Sequence, residues 1–175
     1  MTIFPTADDA TLLRVYSGFC AVREMDLPKD VLVRLLSSIG DHNPDHWSVV
    51  GIAPSALQHF ASLGFKKPAP GSFKINRSHL VDRFKWMGEW LDMPEPLNFE
   101  DWLQFYSEND CTVLRLASRN VSGCDEDYIP IDPALGLFKK AGFSFSFSQK
   151  REGSFLRGLH EIVRKQASTD DDGAD

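Results

Sequence analysis

The sequence predicts an α+β fold: one predominantly helical domain with a small β-sheet. Three observations lead there. Apolar residues recur at helical spacing through most of the 175 residues, with proline or glycine punctuating the ends of the runs. Only two segments read as strands, and both lie in the second half. The chain is 42% hydrophobic and 25% charged, the balance of a folded globular protein, and at this length one core buries roughly 70% of the unfolded surface.

Taken in order, Thr6 and Asp9 make a capping-box-like start to a helix over 7–23, whose face is Leu12, Leu13, Val15, Tyr16, Phe19 and Cys20. Pro28 and Gly40 bracket a second helix over 28–39, and Pro54 and Gly64 a third over 54–64. After a Pro/Gly loop over 66–73, a helix is expected over 77–91. Asn98, Glu100 and Asp101 then open a helix over 98–108, with Leu97 packing on Trp102 as a hydrophobic staple. The apolar run 111–117 reads as a strand. So does 143–148, where Phe143, Phe145 and Phe147 alternate with serines, phenylalanines inward. Between them, 118–131 reads as loop, and Asp132, Pro133 and Gly142 bracket a short helix. A last helix is expected over 154–166, burying Phe155, Leu156, Leu159, Ile162 and Val163. The domain is thus assigned to 1–166, and the polar stretch 167–175 to a disordered acidic tail. Leu80, Phe84, Met87, Leu91, Trp102, Phe105, Val113, Phe145 and Leu159 are expected to be buried in one contiguous cluster.

The net charge of −6 is unevenly spread. Residues 66–85 carry six basic groups against Asp82, 86–132 carry two basic against eleven acidic, and 133–165 carry seven basic against two acidic. Blocks of opposite sign are expected mainly to neutralise one another in the fold. No apolar run is long enough to span a bilayer, and the N-terminus lacks a secretory pattern, so a soluble, cytoplasmic protein without membrane partners is expected. Cys20, Cys111 and Cys124 contain no CxxC pair, which argues against a disulfide framework and fits a reducing compartment.

No nucleophile elbow, P-loop, dinucleotide fingerprint or HExxH pattern occurs, and no cofactor is expected. The region 54–91 resembles a helix-turn-helix only loosely, because about a dozen residues separate its helices where that motif uses about three or four. His42, Asp45 and His46 form a metal-type donor set, but Pro44 between the imidazoles makes the segment a turn, and a polar interhelix loop is the stronger reading. On the 77–91 helix, His79, Arg83, Trp86 and Trp90 fall at i, i+4, i+7 and i+11. An imidazole, a guanidinium and two indoles in one row can hold phosphates and stack bases, and Lys66, Lys67, Lys74 and Arg77 enlarge the positive field. The competing reading buries the tryptophans in the core.

The function expected from these residues is a non-catalytic binding or regulatory module that engages nucleic acid or an anionic protein through 77–91. One alternative is a small nuclease-like phosphodiester hydrolase, with His79 as base, Asp82 as its orienter, Arg83 as anion clamp and Asn120 as a distant helper. A second is an acidic, immunity-type inhibitor that masks a basic partner with 89–132. Cys111 is expected to be an inert core thiol, and Cys124, among acidic residues, to have its thiolate disfavoured.

Overall fold

A computed structural model of the chain describes residues 8–43, 47–66, 75–117, 127–139 and 145–171. The fold is α+β: the described residues form six α-helices and one four-stranded mixed sheet. Helix α1 (Asp9–Arg23) is capped by Asp8, whose carboxylate accepts from the Thr11 amide. Helix α2 (Lys29–Gly40) follows Pro28. Strand β1 (Ser48–Ile52) leads into α3 (Pro54–Ser62), which ends at Gly64 in the left-handed region, φ +62°. Strand β2 (Ile75–His79) precedes α4 (Arg83–Asp92) and α5 (Phe99–Asn109), the latter capped by Asn98. Strand β3 (Cys111–Leu116), strand β4 (Ile129–Pro130), a 3₁₀ turn over Pro133–Leu135 and a π-turn over Gln149–Gly153 complete the chain up to α6 (Ser154–Asp171).

The sheet order is β2-β3-β1-β4, with β1 and β3 parallel and both edges antiparallel. Two hydrophobic cores result. The helical core joins α1, α2, α4 and α5 through Leu12, Phe19, Leu36, Trp86, Met87, Trp90, Trp102 and Tyr106. Most of its aromatics meet edge to face or tilted, Phe19 against Trp102 at 5.4 Å and Trp86 against Tyr106 at 5.6 Å between ring centres, while Phe19 and Trp86 stack at 6.4 Å. The sheet core joins β1–β3, α3 and α6 through Val49, Ile52, Phe60, Ile75, Leu114, Phe138 and Leu156.

Several expectations are corrected. Residues 77–79, placed in a helix by the periodicity, form the end of β2, and α4 begins six residues later than expected. The buried members of β2 include Arg77 and Ser78, so the strand shows no apolar alternation that sequence reading can detect. Strand β1 was not expected at all. Its Gly51 looks like a breaker, yet the Tyr128 ring packs where a Cβ would stand, 2.2 Å from Cδ2. Within 118–131, expected to be loop, Ile129–Pro130 pair with β1.

Residues 145–148 make no strand ladder, although Phe145 and Phe147 do pack half-buried on the sheet core. Residues 143–144 lie outside the described residues, as do Thr6 and the end of the helix expected after Pro133, whose described part is a single 3₁₀ turn stopped by Gly136 at φ +56°. Helix α6 runs to Asp171, past the expected boundary at 166; residues 172–175 are outside the described set.

The expected core holds in part. Met87, Trp102 and Val113 are buried, and Leu80, Leu91, Phe105, Phe145 and Leu159 are half-buried. Phe84 is 58% exposed, and the residues divide between two clusters instead of forming one. Once β2 ends at His79, the inward face of α4 is set by Arg83, Trp86, Met87 and Trp90, which turns Phe84 outward.

Candidate functional site

The two cores meet along a buried polar seam, and the expected site residues of β2 and α4 lie in it. Side chains alternate along β2, so Arg77 and His79 share the face that carries Leu114 and Thr112 of β3. Trp47, just before β1, adopts φ 57° and sits at the centre. Its amide donates to Asp110 Oδ2 at 2.9 Å, and its carbonyl accepts from Arg77 Nη1 at 3.1 Å and from the Thr112 hydroxyl at 3.0 Å. The guanidiniums of Arg77 and Arg83 lie 5.2 and 5.5 Å from the Trp47 ring centre. The His79 ring meets the same indole at 4.3 Å, edge to face.

Arg83 joins the helical side to the seam. Its Nη1 donates to Asp41 Oδ1 at 2.8 Å, and its Nε faces Asp110 Oδ1 at 3.5 Å. Tyr106 donates to the Gly40 carbonyl at 3.2 Å. A Cβ at Gly40 would come within 2.9 Å of Arg83 Nη2, so the absent side chain lets α2 and α4 close.

Burial opposes the charge on both arginines. It brings Arg77 down to about 10 against the pull of Asp110. For Arg83, Asp110, Tyr106 and Asp41 more than offset the burial and hold the pKa above its ordinary value. Burial, then Arg83 and Arg77, depress His79 to about 4, and Asp82 and Asp41 only partly oppose them. The imidazole is neutral at pH 7, and among the described residues neither ring nitrogen has a hydrogen-bond partner.

The row expected to face a ligand is thus divided. Trp86 and Trp90 are fully buried in the helical core, Arg77 and Arg83 are buried in the seam, and His79 belongs to a strand and not to the helix of Arg83. The indole faces therefore contact Phe19, Phe105 and Tyr106, not a partner. Asp82 is the N-cap of α4, its carboxylate accepting from the Lys85 amide at 3.0 Å, and it makes no hydrogen bond to His79. Among the described residues His79 therefore has no orienting hydrogen bond of the kind that a general base uses.

Lys67, Lys74 and Asn120 lie outside the described residues, as do Asp45, His46 and Cys124. His42 is exposed at a groove of about 420 Å³ lined also by Thr11, Arg14, Val15 and Ile39. Among the described residues, no group of three or more His, Cys, Asp or Glu is placed to hold a metal ion. Burial raises the Cys111 thiol to about 12, which removes it as a nucleophile near neutrality.

A second constellation, not singled out from the sequence, is exposed. Phe65 (φ 55°) follows the Gly64 turn after α3, and its carbonyl stands 2.8 Å from where a Cβ of Gly153 would be. That close approach seats the start of α6 against Phe65. The Arg157 guanidinium then lies 5.8 Å from the Phe65 ring centre, the His160 ring meets it at 5.7 Å, and His160 Nε2 is 3.4 Å from Gln58 Oε1.

Lys66 is exposed beside them, and Arg164 follows one turn after His160. Arg157, Arg164 and Lys165 are all exposed, and among the described residues neither Arg157 nor Arg164 forms an ion pair. The signal was present in the basic block 133–165. What the sequence did not reveal is that Arg157 and Arg164 of this block share one helix face, with no ion pair among the described residues.

No described helix is long and apolar enough to cross a membrane. The chain matches no family model, no curated protein and no solved structure.

Proposed function

We propose that the chain is a non-catalytic binding module for nucleic acid, engaged through the face formed by Lys66, Arg157, Arg164 and Lys165. One observation carries the reading: the Arg157 guanidinium is laid over Phe65 and, among the described residues, pairs with no carboxylate, in a row with Arg164. A stacked guanidinium has little rotamer freedom left to lose on binding. Its planar fork suits phosphate oxygens better than a lysine ammonium does. Phe65 itself is only 8% exposed, so it holds the arginine and offers no platform for bases. The expected contact is with the sugar-phosphate backbone, with weak sequence preference. The binding surface thus moves from the row 79–90 to α6, and Lys66 is the member of the original set that remains on it.

Fluorescence anisotropy with a labelled 20-nucleotide single strand tests the proposal. Binding should weaken as salt rises. Arg157→Ala/Arg164→Ala should lower affinity at least tenfold at low salt and flatten the slope of log K against log salt by roughly 1 to 1.5, since each backbone contact releases about 0.7 of a counterion on single strands. The melting temperature should not change, because both side chains are exposed. Equal affinity of variant and parent, or tighter binding of polyglutamate than of the oligonucleotide, would overturn the reading, the second result in favour of an acidic protein partner.

A further inference from the structure

The seam between the two cores contains a group that none of the foregoing uses. His79 closes the β2 end of the seam, packed on the edge of Trp47, with both ring nitrogens buried and, among the described residues, no hydrogen-bond partner. Buried polar groups almost always find partners, and an imidazole without one stays buried only while neutral.

The groups around it come from every element that meets there. Arg77 stands two residues back on the same face of β2, and Arg83 reaches in from α4 with Asp82 at its cap. Asp41 comes from the end of α2, Thr112 lies across the ladder on β3, and Asp110 lies just before that strand. The two aspartates in the seam are already engaged. Asp41 pairs with Arg83, while Asp110 holds both Arg83 and the Trp47 amide. A proton on His79 would therefore add a third cation beside two guanidiniums that share one indole, with the Asp41 and Asp110 carboxylates already engaged.

We infer that His79 is a proton-operated lock on the seam: neutral, it lets the helical core and the sheet close on Trp47, and charged, it forces them apart there while each core stays packed. The direction follows from the two protonation states. An unfolded or opened chain takes up the proton near the ordinary value of 6.5, whereas the closed protein holds out to about 4. Between those values the open form binds more protons, so closure weakens as pH falls, by about tenfold in the equilibrium per pH unit for one such group. Above pH 6.5 the lock has no effect. Asp41, Asp82 and Asp110 belong to the same cluster, and the comparison with a His79 variant separates their titration from that of the imidazole.

The test is an NMR titration of the four tryptophan indole N–H signals and the histidine ring carbons of the full chain from pH 7.5 down to about 3. The Trp47 indole signal is expected to shift or lose intensity below pH 6 while those of Trp86, Trp90 and Trp102 keep their dispersion. His79→Gln, neutral throughout, should abolish the Trp47 response. A Trp47 signal that titrates identically in parent and His79→Gln would overturn the inference, and so would loss of all four indole signals together. Where His79→Gln does not fold, the ring-carbon titration of the parent decides alone: a His79 midpoint near 6.5 sinks the lock, and one near 4 supports it.

Discussion

Asp110 illustrates how much one residue can hold in place. It is 2% exposed, accepts the Trp47 amide and faces Arg83, whose own exposure is 8%. Removing one partner of a buried pair strands the other charge, so Asp110→Ala should cost about 3 to 5 kcal/mol in chemical denaturation. Asp41 pairs with the same guanidinium, but its side chain is 52% exposed, and Asp41→Ala should cost about 1 kcal/mol or less. Equal losses in the two variants would show that the pairing is not set by burial. Neither role is legible in the sequence, where Asp110 is one acid among eleven in its block and Trp47 is an aromatic next to a polar turn. Their meaning comes from the close approach of residues 63 apart in the chain, which no local pattern encodes.

Among the elements, the helices with strong caps were legible and the strands with polar members were not. Asn98 before Glu100 and Asp101 marked α5 to within a residue, and Pro54 and Gly64 marked α3 nearly as well. Leu80, Phe84, Met87 and Leu91 share the spacing of a core face, but the first lies outside α4, the second points to solvent, and the actual cap is Asp82. A helix-period pattern carried two residues past a true N-cap is hard to tell from a longer helix, because Asp, although favoured at the N-cap, also occurs on helix surfaces. Thermal unfolding of Asp82→Ala checks the assignment. Loss of the cap should cost about 1 kcal/mol, whereas Asp82→Asn or Asp82→Ser should lose much less, since both still offer an oxygen to the Lys85 amide. The same comparison bears on the hydrolytic alternative, in which Asp82 acts on His79 and only a carboxylate would serve.

On the scale of the whole molecule, charge follows the two cores. Residues 82–110, which build the helical core, carry two basic groups and eight acidic, while 145–168 on the sheet side carry five basic and two acidic. The sequence showed the blocks, and neutralisation inside the fold was the natural expectation. The ion pair of Lys29 with Asp92 ties exposed side chains from distant parts of the chain, and it lies wholly on the helical side. The uneven spread of charge means that net charge alone is a poor guide to what any one surface attracts.

The parallel pairing of β1 with β3 also sets an order of events in folding. Every buried member of the helical core lies between Leu12 and Tyr106, upstream of β3, whereas β1 and α3 cannot complete a sheet until Cys111–Leu116 has joined them. A chain that grows from its N-terminus can condense its helices first while β1 waits for its neighbour, and long-range strand pairing is the slow step in such topologies. In stopped-flow refolding, the quenching or shift from Trp86, Trp90 and Trp102 should therefore precede the change that disappears in Trp47→Phe. Coincident phases would mean that sheet and helices form in a single event. If the phases separate, the period of greatest exposure to aggregation is the interval in which β1 stands complete and unpaired.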